Sequence, residues 1–134
     1  MRRNRMSLVP RVWTHKFQTL KLVDQGTSLQ PKTPKYELKE PAFRCMLENA
    51  PQTQMISRMG IEIAFTDKMY CQPRSDRTIS PWLMREAYPK VNDRVRIVEG
   101  RRPSGEDMSG EEFLVVEQAS DNECFDTFYL ERLT

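Results

Sequence analysis

The last third of this 134-residue chain constrains its fold most. Asn92–Gly100, Glu112–Glu117 and Phe125–Leu133 are three short runs rich in β-branched and aromatic residues, separated by polar turn chemistry. Such side chains fit a pleated, half-buried surface and crowd the turns of a helix. Val95 and Ile97 alternate with Arg94 and Arg96, so both arginines point away from the face that the valine and isoleucine bury. Asp93 stands at the entry of the first run, and the last hairpin is expected to turn at Ser120-Asp121-Asn122. Short strands in this order predict a small antiparallel β-barrel.

The upstream sequence extends the same reading. Val12–Val23 alternates weakly and predicts a strand, followed by a turn at Asp24–Ser28. Residues 29–41 carry Pro31, Pro34 and Pro41, which predicts an extended loop or edge with a short strand near Tyr36–Leu38. Ala42–Leu47 predicts a strand with Phe43, Cys45 and Leu47 on one face. Asn49-Ala50-Pro51 can open a short helix that groups Met55, Ile56 and Met59 and stops at Gly60. Ile61–Thr66 alternates cleanly and predicts a strand reaching as far as Tyr70. Ser80 as cap and Pro81 at the first position predict one or two helical turns over residues 80–87, ended by Pro89. The expected fold is therefore mainly β: a small antiparallel barrel over residues 12–134, with one or two short helices and long insertions at 71–91 and 99–111. Residues 1–11, with Arg2, Arg3, Arg5 and Arg11, are expected to form an extended basic arm.

One domain of this length buries roughly 65–70% of its unfolded surface and can hold a core without staples. The net charge of +2 is lower than a dedicated nucleic-acid binder usually carries. No apolar run is long enough to span a membrane, and the N-terminus lacks the apolar stretch of a signal peptide, so synthesis and folding in a cytoplasm are expected.

Little in the chain points to catalysis. Cys45, Cys71 and Cys124 are irregularly spaced and far from the single histidine, His15, which disfavours zinc; as strand residues they read as small apolar fillers in a reducing compartment. Gly100, Gly105 and Gly110 have phosphate-loop spacing, but no Lys-Ser or Lys-Thr follows, so a flexible hairpin tip is expected. His15 reads as a surface or interface histidine. The acidic residues Asp67, Asp76, Glu86, Asp93, Glu106, Asp107, Glu111 and Glu112 are scattered and read as solvated loop charge. No cofactor, no metal and no enzymatic activity are expected. Trp13, Trp82, Tyr70 and Tyr88 lie in or beside predicted loops, where anchoring an interface is a commoner use than stacking on bases.

Gly60–Tyr70, Asn92–Ile97, Glu112–Glu117 and Phe128–Leu133, taken in order, resemble the strand pattern of the head-closure, or head–tail stopper, proteins of tailed bacteriophages. The resemblance covers residues 12–134. It implies a structural virion protein that forms a ring of identical copies in the neck, between the portal/adaptor complex and the tail, and helps to retain packaged DNA. Its partners would be copies of itself, a portal or adaptor protein on one side and a tail protein on the other, with the DNA backbone nearby in the channel and no membrane. Candidate interface or channel-facing residues are Arg2, Arg3, Arg5, Arg74, Arg77, Trp82, Arg101 and Arg102, with residues 71–80 or the 100–111 tip reaching the channel. Two alternatives stand beside it: a tail terminator or adaptor of the same assembly, and a small nucleic-acid-binding β-barrel. The last requires Arg94 and Arg96 to share a concave face with Trp13 or Tyr129.

Overall fold

The structure, a computed structural model, describes residues 13–26, 29, 31–119 and 124–133. The expected arm at 1–11 and the turn at Ser120–Asn122 lie outside these residues. In chain order the elements are β1 (His15–Gly26), β2 (Pro31–Arg58), β3 (Ile61–Cys71), α1 (Pro81–Ala87), β4 (Arg94–Glu99), β5 (Glu112–Ala119) and β6 (Asp126–Arg132). Every neighbouring pair is antiparallel, and the order β1-β2-β3-β6-β5-β4 closes on itself as a barrel. The fold is mainly β with one short helix, as the alternation predicts.

Side chains fill the barrel. Phe17, Phe43, Cys45, Met69, Cys71, Val95, Ile97, Phe113, Val115, Phe128 and Leu130 point inward. Helix α1 closes one end, here the upper end, with Met84, Ala87 and the following Tyr88. Ser80 caps the helix as expected, its hydroxyl accepting from Leu83 N at 3.2 Å. Tyr88 was expected beside a loop. It is fully buried, edge-on to Phe43 and Phe128, and its hydroxyl lies 2.5 Å from Asp126. Burial, reinforced by the neighbouring Cys71 and Asp126, pushes the phenol far above its ordinary range.

The 100–111 insertion closes the lower end, and it is a folded tip rather than a loose one. Met108 N donates to Gly100 O at 3.0 Å and Gly110 N to Ile97 O at 2.8 Å. This turns the Met108 side chain fully into the core.

The largest departure from expectation is β2, a single 28-residue strand. Of the two readings of 29–41, an extended loop or an edge, the edge holds, with residues 31–41 forming the first part of this strand, while residues 51–58 of the predicted helix form its last part. Among the described residues the first half of β2 pairs with β1 alone, and such an edge strand is where prolines are tolerated. Pro41 falls in the register shift opposite Thr19, between Gln18↔Ala42 and Leu20↔Leu38. The helix fails because pairing with β3 wins over i, i+4 contacts among three isolated apolar residues. Gln54↔Phe65, Ile56↔Ile63 and Arg58↔Ile61 are cross-strand partners, and Met59-Gly60 is a two-residue turn with φ of +52° and +79°. Positive φ at both positions is the hairpin geometry that matches strand twist.

Candidate assembly surfaces

The register places the functional elements. The strands share a belt near residues 15–20, 43–49, 67–71, 94–97, 112–119 and 126–132. β2 overruns this belt in both directions. Straight, its 28 residues would reach about 90 Å, several times the height of the belt. Above the belt, residues 21–26 of β1 pair with 31–37 of β2 as an upper arm. Below it, residues 54–58 of β2 pair with 61–65 of β3 as a lower arm. Because β1 and β3 run in the same direction, and one arm lies at the end of β1 and the other at the start of β3, the two arms leave opposite ends of the barrel.

A buried aspartate pins each root. At the upper root, Asp93 accepts from Lys21 Nζ at 2.8 Å, Leu22 N at 3.0 Å and Lys90 N at 2.9 Å. This ties the arm to the segment entering β4. Lys21 Nζ also donates to Tyr88 O at 2.6 Å, so the arm is fastened to the helical cap as well. At the lower root, the fully buried Asp67 accepts from Asn49 Nδ2, from Thr66 Oγ1 at 2.7 Å and from Arg132 Nη2 at 3.1 Å. Arg132 N in turn donates to Thr66 Oγ1 at 2.8 Å, joining the end of β6 to the same point. The arms therefore spring from fixed anchors.

Large apolar side chains are exposed along both arms: Val23 on the upper, with Leu38 at its root, and Met55, Met59 and Ile61 on the lower. Met59 is fully exposed and occupies a left-handed backbone conformation at the tip. Ile61 beside it is 66% exposed. At the upper end, Trp82 on α1 is 63% exposed.

The residues nominated from sequence divide between the two ends. Arg2, Arg3 and Arg5 lie outside the described residues. Arg74, Arg77 and Trp82 are exposed at the upper end, and Arg74 lies 5.7 Å over the Tyr88 ring. Arg101 and Arg102 belong to the lower tip. Arg101 Nη1 donates to Gly105 O at 2.9 Å, and Arg102 holds Glu111 with both guanidinium arms and Glu106 at 3.5 Å. That fork braces its own loop, which makes Arg102 a structural residue.

His15 was expected at a surface or interface, yet it is buried against Gly100 at the lower end. Its Nε2–H donates to Arg101 O at 3.0 Å, and Nδ1 accepts from the Thr14 hydroxyl at 2.6 Å. Burial lowers its pKa, opposed by the Arg101 carbonyl. It borders an open groove of about 540 Å³ with Glu99, Asp107 and Ser109. A second open groove, of about 460 Å³, lies at the upper root between Lys21, Lys39, Arg85 and Lys90.

Arg94 and Arg96 point outward as expected, but both face Glu112 of β5, at 3.8 and 2.9 Å, and Arg94 stacks over Tyr36 at 4.4 Å. Tyr129 lies instead under Lys68 on the β3–β6 side. Arg94 and Arg96 thus meet Tyr36 and Glu112 rather than Tyr129.

Among the described residues no group of three or more His, Cys, Asp or Glu is placed to hold a metal ion. No helix there is long and apolar enough to cross a membrane. Sequence reasoning missed Asp67, Asp93 as an anchor, and Met59. The available signal for Met59 was the Met59-Gly60 pair between two apolar runs, a hairpin spacing that the helical spacing of Met55 and Met59 masked. No protein-family model, curated protein or solved structure matches the chain.

Proposed function

We propose that this chain is a structural connector of a bacteriophage neck: a homo-oligomeric ring subunit in the virion, between portal or adaptor and tail, that helps to hold packaged DNA and performs no catalysis. The observation that carries this reading is the pair of rooted arms leaving opposite ends of a small filled barrel, each with apolar side chains in water. A connector must touch different neighbours above and below itself, and its contacts with sibling copies close into a ring only when they are heterologous. Long edge hairpins bearing Met and Ile are suited to such contacts, since methionine repacks readily against a partner. The strand pattern of head-closure proteins, noted in the sequence, supports the same assignment. A tail terminator or adaptor would use the same architecture at a neighbouring position in the particle. The separation of Arg94 and Arg96 from Tyr129 removes one of the two aromatic partners that the nucleic-acid-binding alternative calls for.

Met59 provides the test. A bulky residue with φ of +52° is costlier than asparagine at the same place, and Asn-Gly is the preferred sequence of such a turn. Met59→Asn should therefore stabilise the isolated chain slightly, by about 0.5–1 kcal/mol, while weakening incorporation into particles. Unchanged incorporation of Met59→Asn, together with normal tailed particles from the double substitution Met59→Asn with Ile61→Ser, would overturn the reading.

A further inference from the structure

We propose that Cys45 and Cys71 form a site of covalent modification: an intrachain disulfide between β2 and β3 that can be closed without rearranging the barrel. The two residues are direct partners in the β2–β3 ladder. Gln72 N donates to Arg44 O at 3.0 Å, which makes 44/72 a hydrogen-bonded pair and 45/71 the adjacent non-hydrogen-bonded one. At such pairs the Cα atoms stand about 4.5 Å apart and the side chains are at their closest. A disulfide spans Cα separations of roughly 4.4–6.8 Å, so the strands already hold the required spacing. Both side chains point into the same core, both are fully buried, and both are free thiols.

The third cysteine does not share this arrangement. Cys124 lies between β5 and β6 and is only half-buried. The irregular spacing of the three residues in the chain therefore hides a spatial pair. Closing it would convert residues 45–71, which include the whole lower arm, into a covalent loop fastened at the barrel wall.

The chemistry is thiol–disulfide exchange with a low-molecular-weight disulfide. One cysteine thiolate attacks a sulfur of that reagent, forming a mixed disulfide and expelling one small thiolate. The second cysteine thiolate attacks the protein sulfur of the mixed disulfide, forms the Cys45–Cys71 bond and expels the other small thiolate. The two expelled thiolates take up the two cysteine protons. The two protein sulfurs are oxidised and the reagent is reduced to two thiols. Burial raises both thiols above their ordinary range, so few thiolates exist in the closed barrel. Exchange then proceeds through transient opening of the β2–β3 ladder and should accelerate in denaturant concentrations below the unfolding midpoint. The inference concerns the fold alone and stands whether or not the chain belongs to a virion neck.

The test uses the full chain with Cys124→Ser, which leaves only the candidate pair. Incubated with glutathione disulfide in sub-denaturing urea and then returned to buffer, it should lose both titratable thiols and form no disulfide between chains. It should also lose two hydrogens in mass and resist urea better than its reduced form. Peptide mapping should join the fragments that contain Cys45 and Cys71. Retention of both thiols, stable adducts with glutathione, cross-linked dimers, or an oxidised product less stable than the reduced one would each overturn the proposal. The full chain with Cys45→Ala serves as a second measurement. It should form no intrachain disulfide, and one between Cys71 and Cys124 would show that proximity in the ladder is not what directs pairing.

Discussion

Replacing Asp93 with alanine should loosen the upper arm and destabilise the whole barrel. The carboxylate is buried and holds three donors at once: the Lys21 ammonium, Leu22 N and Lys90 N. Removing it leaves Lys21, whose side chain is only 14% exposed, with the Tyr88 carbonyl as its remaining partner among the described residues. Breaking a buried ion pair by deleting one partner costs about 3–5 kcal/mol. Each stranded backbone N–H costs about 1–3 kcal/mol if water cannot reach it. Because the site borders an open groove, water can reach part of it, and these contributions overlap. We therefore expect a loss of about 3 kcal/mol, at the lower end of the range for a broken buried pair. With a urea m-value of about 1.5 kcal/mol/M, this moves the unfolding midpoint down by about 2 M. Asp93→Asn keeps one acceptor oxygen and should cost about half as much. A double-mutant cycle with Lys21→Met should show a coupling of about 1–3 kcal/mol. The assay is urea unfolding followed by tryptophan fluorescence at neutral pH. A loss below about 1 kcal/mol for Asp93→Ala, or strict additivity with Lys21→Met, would refute the claim that this aspartate anchors the arm.

Two further outcomes concern the lower end. A methyl group at Gly100, where φ is +145°, would lie 2.1 Å from Cδ2 of His15, so Gly100→Ala should cost about 3 kcal/mol through backbone strain and displacement of the imidazole; urea midpoints check this, and pairing it with His15→Ala should recover the steric part only. The lowered pKa of His15 means that the unfolded chain binds a proton more readily than the folded one, so the stability due to its neutral form is complete above the unfolded value of 6.5. That stability falls away as pH drops from there toward the lowered folded value, and His15→Gln should flatten the decline between about pH 7 and about pH 5 in unfolding midpoints.

Much of the fold was legible where a single neighbour decided the outcome. Arg94–Ile97, Glu112–Glu117 and Phe65–Tyr70 alternate because one face of each meets the core, and period-two patterning records that directly. Ser80 and Pro81 marked α1 because capping is local. Residues 51–59, expected as a helix, and the continuity of strand through 31–41 were misread for the opposite reason. Their strand exists through long-range pairing with β1 and β3, while the local cues, three prolines and a helical spacing of Met55 and Met59, point elsewhere. The candidate surfaces were hidden in the same way, since an arm is defined by where its neighbours stop. The resulting exposed Val23, Leu38 and Ile61 look in sequence like core residues. Asp67 and Asp93 resembled loop charge because the donors that bury them come from distant positions: Lys21 for one, Asn49 and Arg132 for the other. Met108 likewise looked like part of a polar tip until the backbone bonds to Gly100 and Ile97 turned it inward.

Electron microscopy of particles assembled with this chain tests the central claim most directly. The account predicts a closed ring of copies in the neck, with the upper and lower hairpins seated on different neighbours and Met59 and Ile61 removed from water. Particles without the chain in the neck, or a subunit there whose two hairpins both project into solvent, would contradict it.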